Sequence, residues 1–461
     1  MRVLVAGPVP PEVGGLTRGG VATHVWGLAT HLVRAGHEVM VLADNLPASK
    51  SGTLKGIQLV SARHVRPGAS RAARELGAEA APAKRFLAAH FKGVQGPPDP
   101  LATFASYLTA VRRFEPDIVH VHHMELRFPF AYLAAEAGAA AGAGPAAGAG
   151  PAAAGTRPAA ARTPIVTTMH SMSYLLTDDP AAARARKAFV GRNLALAENV
   201  LFVSEATRAL TFETLDRDAF TGRAWTEHNP GDEALFHPED RQAARARAGV
   251  AGHGPTALFV GLLSKSKGVA EAVEALRAVR ERGLDARLLI VGDGPDRAQL
   301  ERMVHGMGLD GAATLVGPKP SDELNHYYNA ADVLVLPSMR EGFPLVFVEA
   351  LMCGCPVLGR HPATDEILKD SGFGQRVVEP GAPALADAME RALHSRPNRR
   401  AIAHWALGYS WRQRIGRFVD IYEAVIAGGA SKARDVRDRG GARGDSGAPK
   451  AGGAGSPRHV T

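Results

Sequence analysis

The sequence predicts an α/β protein made of two doubly wound parallel sheets. Short apolar runs of strand length recur along the 461 residues, many ending in glycine, proline or histidine. Helical stretches alternate with these runs, the pattern of a parallel sheet covered by helices. A turn-rich segment, HNPGDEALFHP from His228 to Pro238, divides the runs into two series. The length allows two or three domains.

The first series opens with RVLVA, Arg2 to Ala6. Gly19 and Gly20 then open a helix, VATHVWGLATHL, from Val21 to Leu32. HEVMVL (His37–Leu42), DIVHVH (Asp117–His122), TPIVTTMH (Thr163–His170) and NVLFVS (Asn199–Ser204) follow as strands. Residues 134–162 are nearly all Ala, Gly and Pro, and are expected to be a disordered insertion. The second series is TALFVG (Thr256–Gly261), RLLIVG (Arg287–Gly292), ATLVG (Ala313–Gly317) and DVLVL (Asp332–Leu336). The expected units are residues 1–235, residues 236–405, a C-terminal helical segment over 406–428, and a disordered basic tail over 429–461.

Composition bounds the function. With 46% hydrophobic residues and no apolar run of 18 or more, a soluble globular protein is expected, with no transmembrane helix. MRVLVAGP reads as a first strand and not as a signal peptide. Cys353 and Cys355 are too close in sequence for an easy disulfide, which fits a reducing cytoplasm. Half of the net charge of +8 lies beyond Ala430, where seven basic and three acidic side chains occur. That balance argues for an anionic substrate rather than nucleic acid. No Cys or His spacing announces a metal, and no metal or cofactor is expected. Asp216-Arg217-Asp218 has the form D-x-D but lies away from any strand end, and reads as a solvated turn.

The segment with most chemistry is REGFPLVFVEALMCGCPV, Arg340 to Val357, directly after the strand-like ADVLVLPS. Glu341 and Glu349 stand eight positions apart, with Gly342 and Phe343 after the first and a helical run through the second. A helix starting near Pro344 aims its free amides and positive dipole end above the strand. A diphosphate suits that position, with a carboxylate on each side to accept hydrogen bonds from sugar hydroxyls.

This segment resembles the E-x7-E motif of glycosyltransferase family 4, and the likeness extends over most of residues 1–426. It implies the GT-B fold, in which two Rossmann-like domains face a central cleft. In that arrangement residues 236–405 take the sugar nucleotide, residues 1–235 take the acceptor, and the C-terminal helix crosses back to the N-terminal domain. FVGLLSKSKG (Phe259–Gly268) is similar to the family's G-R-L-x-x-x-K-G, so Gly261 approaches the donor and Lys267 pairs with its diphosphate, where charge grows in the transition state. Val316 and Gly317 match a segment whose backbone meets the base. TRGGV, with Gly19 and Gly20, resembles the loop whose backbone approaches the phosphates and acceptor. The histidine expected at the HVHH strand end is His122, facing the cleft; His170 ends the next strand similarly. The implied catalytic set is His122, Lys267 and Glu341, with Gly342, Phe343 and Glu349 completing the donor site and Glu349 on the ribose.

Two departures qualify the likeness. Leu262 replaces the pattern's arginine, with Lys265 nearby as a substitute cation. GRHPATDEI (Gly359–Ile367) keeps Glu366 but lacks a paired-glycine loop, leaving Arg360 or His361 to line the donor site. The implied function is retaining transfer from a UDP- or GDP-sugar to a hydroxyl of a lipid-linked glycan, polysaccharide or natural product. Its setting is the cytoplasm, with peripheral membrane contact if the acceptor is lipid-linked. The oligomeric state is open. The rival reading is a catalytically weak sugar-nucleotide-binding or scaffold protein of the same fold.

Overall fold

The structure is a computed structural model that describes residues 1–16, 19–62, 76–124, 127–142, 162–175, 177, 179–250, 254–369 and 371–428. Two sheets organise it. The first contains β1 (Arg2–Ala6), β2 (Glu38–Ala43), β3 (Gly52–Leu54), β4 (Ile57–Ser61), β5 (Ile118–His122), β6 (Ile165–Met169), β7 (Asn199–Phe202) and β8 (Arg223–Thr226). Its order is β3-β4-β2-β1-β5-β6-β7-β8, parallel except for the β3–β4 pair. The second contains β9 (Thr256–Val260), β10 (Arg287–Val291), β11 (Ala313–Gly317), β12 (Val333–Leu336), β13 (Val357–Gly359) and β14 (Gly374–Arg376), in the order β11-β10-β9-β12-β13-β14. Its paired strands are parallel throughout.

The central strands are apolar at nearly every position because helices cover both faces. Leu4, Val119 and Val200 enter one core of the first sheet, while Val3, Val5, Ile118 and Leu201 enter the other. The strand order reverses between β1 and β5 in the first sheet and between β9 and β12 in the second. Crevices at the carboxyl ends of such switch points are where open α/β sheets bind ligands.

The C-terminal helix, Trp411–Ile426, follows the second sheet in sequence but packs on the first. Trp411, Phe418, Ile421, Tyr422 and Val425 are all buried there, each worth roughly 1.5–3 kcal/mol of transfer free energy. The Tyr422 hydroxyl lies 2.6 Å from His120 Nδ1. Buried Glu227 accepts from Arg414 Nη1 at 2.8 Å and also pairs with Arg417, tying the helix to the end of β8.

One sequence expectation is corrected here. The alanine-rich stretch does not begin as an insertion at 134: the helix Phe128–Gly142 runs through it. Alanine is the strongest helix former, and Ala134 and Ala135 fill buried positions. Residues 143–161 of that stretch, the tail 429–461, and Thr17 and Arg18 of TRGGV lie outside the described residues.

Candidate active site

A cavity of about 740 Å³ lies between the two sheets, within the usual range for small-ligand sites. Its N-terminal wall includes Glu12, Gly19, Gly20, Thr23, His170 and Ser173. Its C-terminal wall includes Gly261, Leu262, Lys267, Glu341, Phe343 and Glu349.

Lys267 ends a single 3-10 turn, Lys265–Lys267, just after β9. Gly268 follows at φ +71°, and a Cβ there would lie 2.8 Å from a Pro337 side-chain atom and 2.9 Å from its carbonyl oxygen. Only glycine tolerates that turn and that approach together. The turn is pressed on the segment after β12, where Ser338 Oγ donates to the Ser266 carbonyl at 3.2 Å. Lys267 Nζ thereby meets Glu341 Oε1 at 2.6 Å, in a half-buried ion pair.

The helix Leu345–Met352 starts directly above these groups. Its N-cap is Pro344, and no side chain caps it. The first amides of a helix have no intrahelical acceptor, and Leu345 and Val346 line the cavity. One turn on, Glu349 also lines it, although only 6% exposed. Tyr328 donates its hydroxyl to Glu349 Oε2 at 2.6 Å. Burial pushes the Glu349 carboxyl up to about 7, against the lowering effect of the Tyr328 bond.

The loop bearing Glu341 also touches the N-terminal half. A Cβ on Gly342 would fall 1.6 Å from the His170 carbonyl oxygen. The Gly342 carbonyl accepts from Ser204 Oγ at 2.6 Å and Thr207 Oγ1 at 3.1 Å. Nearby, Glu366 accepts from the amides of Glu205 (2.8 Å) and Ala206 (2.6 Å), at the start of the helix Glu205–Thr214. Burial opposes its ionisation, but His228 and those two amides hold its carboxyl below the ordinary range. Sequence reasoning assigned none of these bridging roles, because each depends on a residue of the other half.

Four expectations change in detail. His122 is fully buried and does not line the cavity; His170 does. The His122 side chain turns under the helix Gly20–Arg34, with its ring centroid 5.3 Å from that of His24 and its Nδ1 2.9 Å from His170 Nε2. Burial first, and neighbouring imidazoles second, hold both His122 and His170 well below the ordinary histidine range. Val316 and Gly317 are not on the wall, where Pro318 and Lys319 stand instead: Gly317 pairs with Val291 of β10, and Val316 is the extra residue at a register shift just before it. Arg360 is buried in a two-pronged pair with Glu271 and also donates to the Glu379 carbonyl, so neither it nor His361 lines the cavity. Lys265 is off the wall, whereas Leu262 is on it and 53% exposed. The D-x-D segment folds on itself, with Asp216 accepting from the Asp218 amide at 3.0 Å.

A third histidine joins His122 and His170. His24, from the helix Gly20–Arg34, completes a buried set whose candidate ligand atoms lie within 4.8 Å of one another. No sequence spacing announced it, since the three come from separate elements.

Comparison with known proteins agrees with this architecture. Residues 19–219 match the family "Glycosyl transferase 4-like domain" and residues 240–406 match "Glycosyl transferases group 1". D-inositol 3-phosphate glycosyltransferase 1 of Catenulispora acidiphila is 28% identical over 338 residues, 68% of this chain and 74% of that protein. The GDP-mannose-dependent alpha-(1-6)-phosphatidylinositol monomannoside mannosyltransferase of Mycolicibacterium smegmatis is 31% identical over 49% of this chain, which spans only 62% of that enzyme. Among solved structures, sucrose-phosphate synthase from Thermosynechococcus elongatus superposes with a TM-score of 0.68 at 19% identity, over 93% of this chain and all of that one. Anabaena HepE in complex with UDP and glucose gives 0.64 at 16%, over 92% of this chain and all of that one. Tandem family matches on a backbone shared with these structures mean that the chain belongs to glycosyltransferase family 4 and has the GT-B fold.

Proposed function

We propose that the protein transfers a sugar from a UDP- or GDP-sugar to a hydroxyl acceptor with retention of anomeric configuration. The observation that carries this reading is the convergence of Lys267, Glu341 and the open start of the helix Leu345–Met352 on one cleft wall. The helix amides and Lys267 hold the diphosphate and offset its growing charge as the sugar leaves. Glu341 positions the sugar, and Glu349 takes the ribose hydroxyls. A β-phosphate oxygen accepts the proton of the acceptor hydroxyl on the face from which the diphosphate departs, so the configuration is kept. His170, on the wall in front of His122, takes the sugar- or acceptor-facing role. Glu12, Thr23, Ser171 and Ser173 offer acceptor-side polar groups suited to a polyhydroxylated ring. The names of the two relatives make cyclitol and inositol-lipid acceptors the first to try; a lipid-linked one would bring the protein to the cytoplasmic membrane face. Among the described residues no helix is long and apolar enough to cross a membrane.

The test is a panel of UDP- and GDP-sugars with cyclitol, glycan and aglycone acceptors, read by nucleotide release and by the anomeric coupling of the product. An inverted product, or no release with any donor, rejects the reading. One observation favours the weaker rival, a nucleotide-sugar-binding protein: exposed Leu262 supplies no charge where the family pattern has arginine. Tight donor binding without turnover across the panel would select it.

A further inference from the structure

We propose that His24, His122 and His170 bind one divalent ion of the zinc class behind the acceptor wall, clasping the helix Gly20–Arg34 to β5 and β6. The set offers one ring nitrogen from each residue, all within 4.8 Å of one another, and all three side chains are buried. His24 is 2% exposed, yet neither of its ring nitrogens has a hydrogen-bond partner. A neutral imidazole carries one donor and one acceptor, and a buried ring with both unsatisfied calls for an unseen partner. Among the described residues no carboxylate or thiol joins the cluster; Arg127 stands beside it, donating Nη1 to the His122 carbonyl at 3.1 Å and Nη2 to Asp44 at 2.6 Å.

The donor set selects the ion. Three imidazoles without thiolate or carboxylate suit zinc, copper or nickel and not calcium or magnesium. In tetrahedral zinc sites Zn–N bonds of about 2.0 Å place ligand nitrogens roughly 3.3 Å apart. His122 Nδ1 and His170 Nε2 are already 2.9 Å apart, and a His24 nitrogen within 4.8 Å closes on the same point as the ion binds. On binding, the proton shared between His122 and His170 moves to the far nitrogen of its own ring, so both rings stay neutral and direct lone pairs at the ion. Trp411 and Phe418 cover the site on the His24 side, 5.2 and 5.9 Å from its ring, and a water from the cavity that His170 lines takes the fourth position. His120 is not a fourth ligand, because Tyr422 and Thr168 occupy both of its nitrogens. The ion's role is structural, and the transfer step at the diphosphate proceeds on the other side of His170. This inference shares His170 with the proposed reaction but rests on none of its steps, and metal content is read without activity.

The full chain, produced in zinc-supplemented medium and dialysed, is analysed by elemental mass spectrometry. One zinc per chain is expected in the wild type and less than one tenth in His24→Phe, which replaces the ring with an apolar one of similar shape. Adding Co2+ to the chelator-treated wild type should give the intense visible bands of four-coordinate cobalt, saturating at one equivalent. No retained zinc with only weak octahedral cobalt bands, or equal zinc in wild type and His24→Phe, overturns the proposal. X-ray absorption of the zinc-loaded wild type decides the case even if the variant fails to fold: imidazole scattering is expected, and its absence rejects the site.

Discussion

Lys267 and Glu341 form a 2.6 Å ion pair across the junction of two strand ends, one after β9 and one after β12. On the proposed reading, Lys267 serves the diphosphate and Glu341 the sugar, so the pair joins two donor-binding groups to each other. On that reading a donor divides them, drawing the lysine to phosphate and leaving the glutamate to accept from sugar hydroxyls.

Glu341→Ala should therefore separate binding from turnover. Free UDP or GDP should bind as tightly or more tightly, because Lys267 loses its competitor, while turnover should fall on the order of 10²-fold. Lys267→Ala should weaken nucleotide binding at least about tenfold, a loss of roughly 1.4 kcal/mol or more. Calorimetric titration of both variants checks the pair; unchanged affinity in Lys267→Ala would move the diphosphate elsewhere.

Leu262 is an exposed apolar residue on the wall beside that lysine. Leu262→Arg should tighten nucleotide binding by roughly 1–2 kcal/mol, since hydrogen bonds to charged groups exceed neutral ones. The same titration measures it.

Glu349 gives a pH dependence. Its carboxyl is raised to about 7 by burial, so between the ordinary carboxylate range and 7 the folded state holds a proton that the unfolded state has lost. Stability contributed by that proton is present at low pH and fades as pH rises through 7. Glu349→Gln should remove the effect. Relative to this variant, the wild type should lose about 3 kcal/mol of stability between pH 5 and pH 8, by the 1.36 kcal/mol per pKa unit relation. Denaturant melts of both proteins across that range provide the comparison.

Gly342 should be the least replaceable residue of the cleft loop. A methyl there meets the His170 carbonyl at 1.6 Å, so Gly342→Ala must push the two halves apart or distort the Glu341 loop. Turnover should drop by more than tenfold with each half still folded, and small-angle scattering should report a larger radius of gyration. A fully active Gly342→Ala protein would contradict the observed contact.

Parallel strands were legible in the sequence because covered strands are apolar at successive positions, and β1, β9, β10 and β12 are such runs. The helix after Pro344 was legible too, since Pro344, the following apolar residues and Glu349 are local in sequence. Local information failed where a side chain's direction depends on what packs beside it. Both His122 and His170 stand at or just after strand ends, but only the neighbouring helix with His24 decides that one turns inward and the other meets the cleft. Arg360 reads as a free cation until Glu271 is brought beside it. The alanine run reads as a spacer until the sheet offers Ala134 and Ala135 a buried surface. The sequence alone determined which candidate groups the chain offers; the packing of two sheets decided which of them line the cavity, because burial and hydrogen bonding are set by residues distant along the chain.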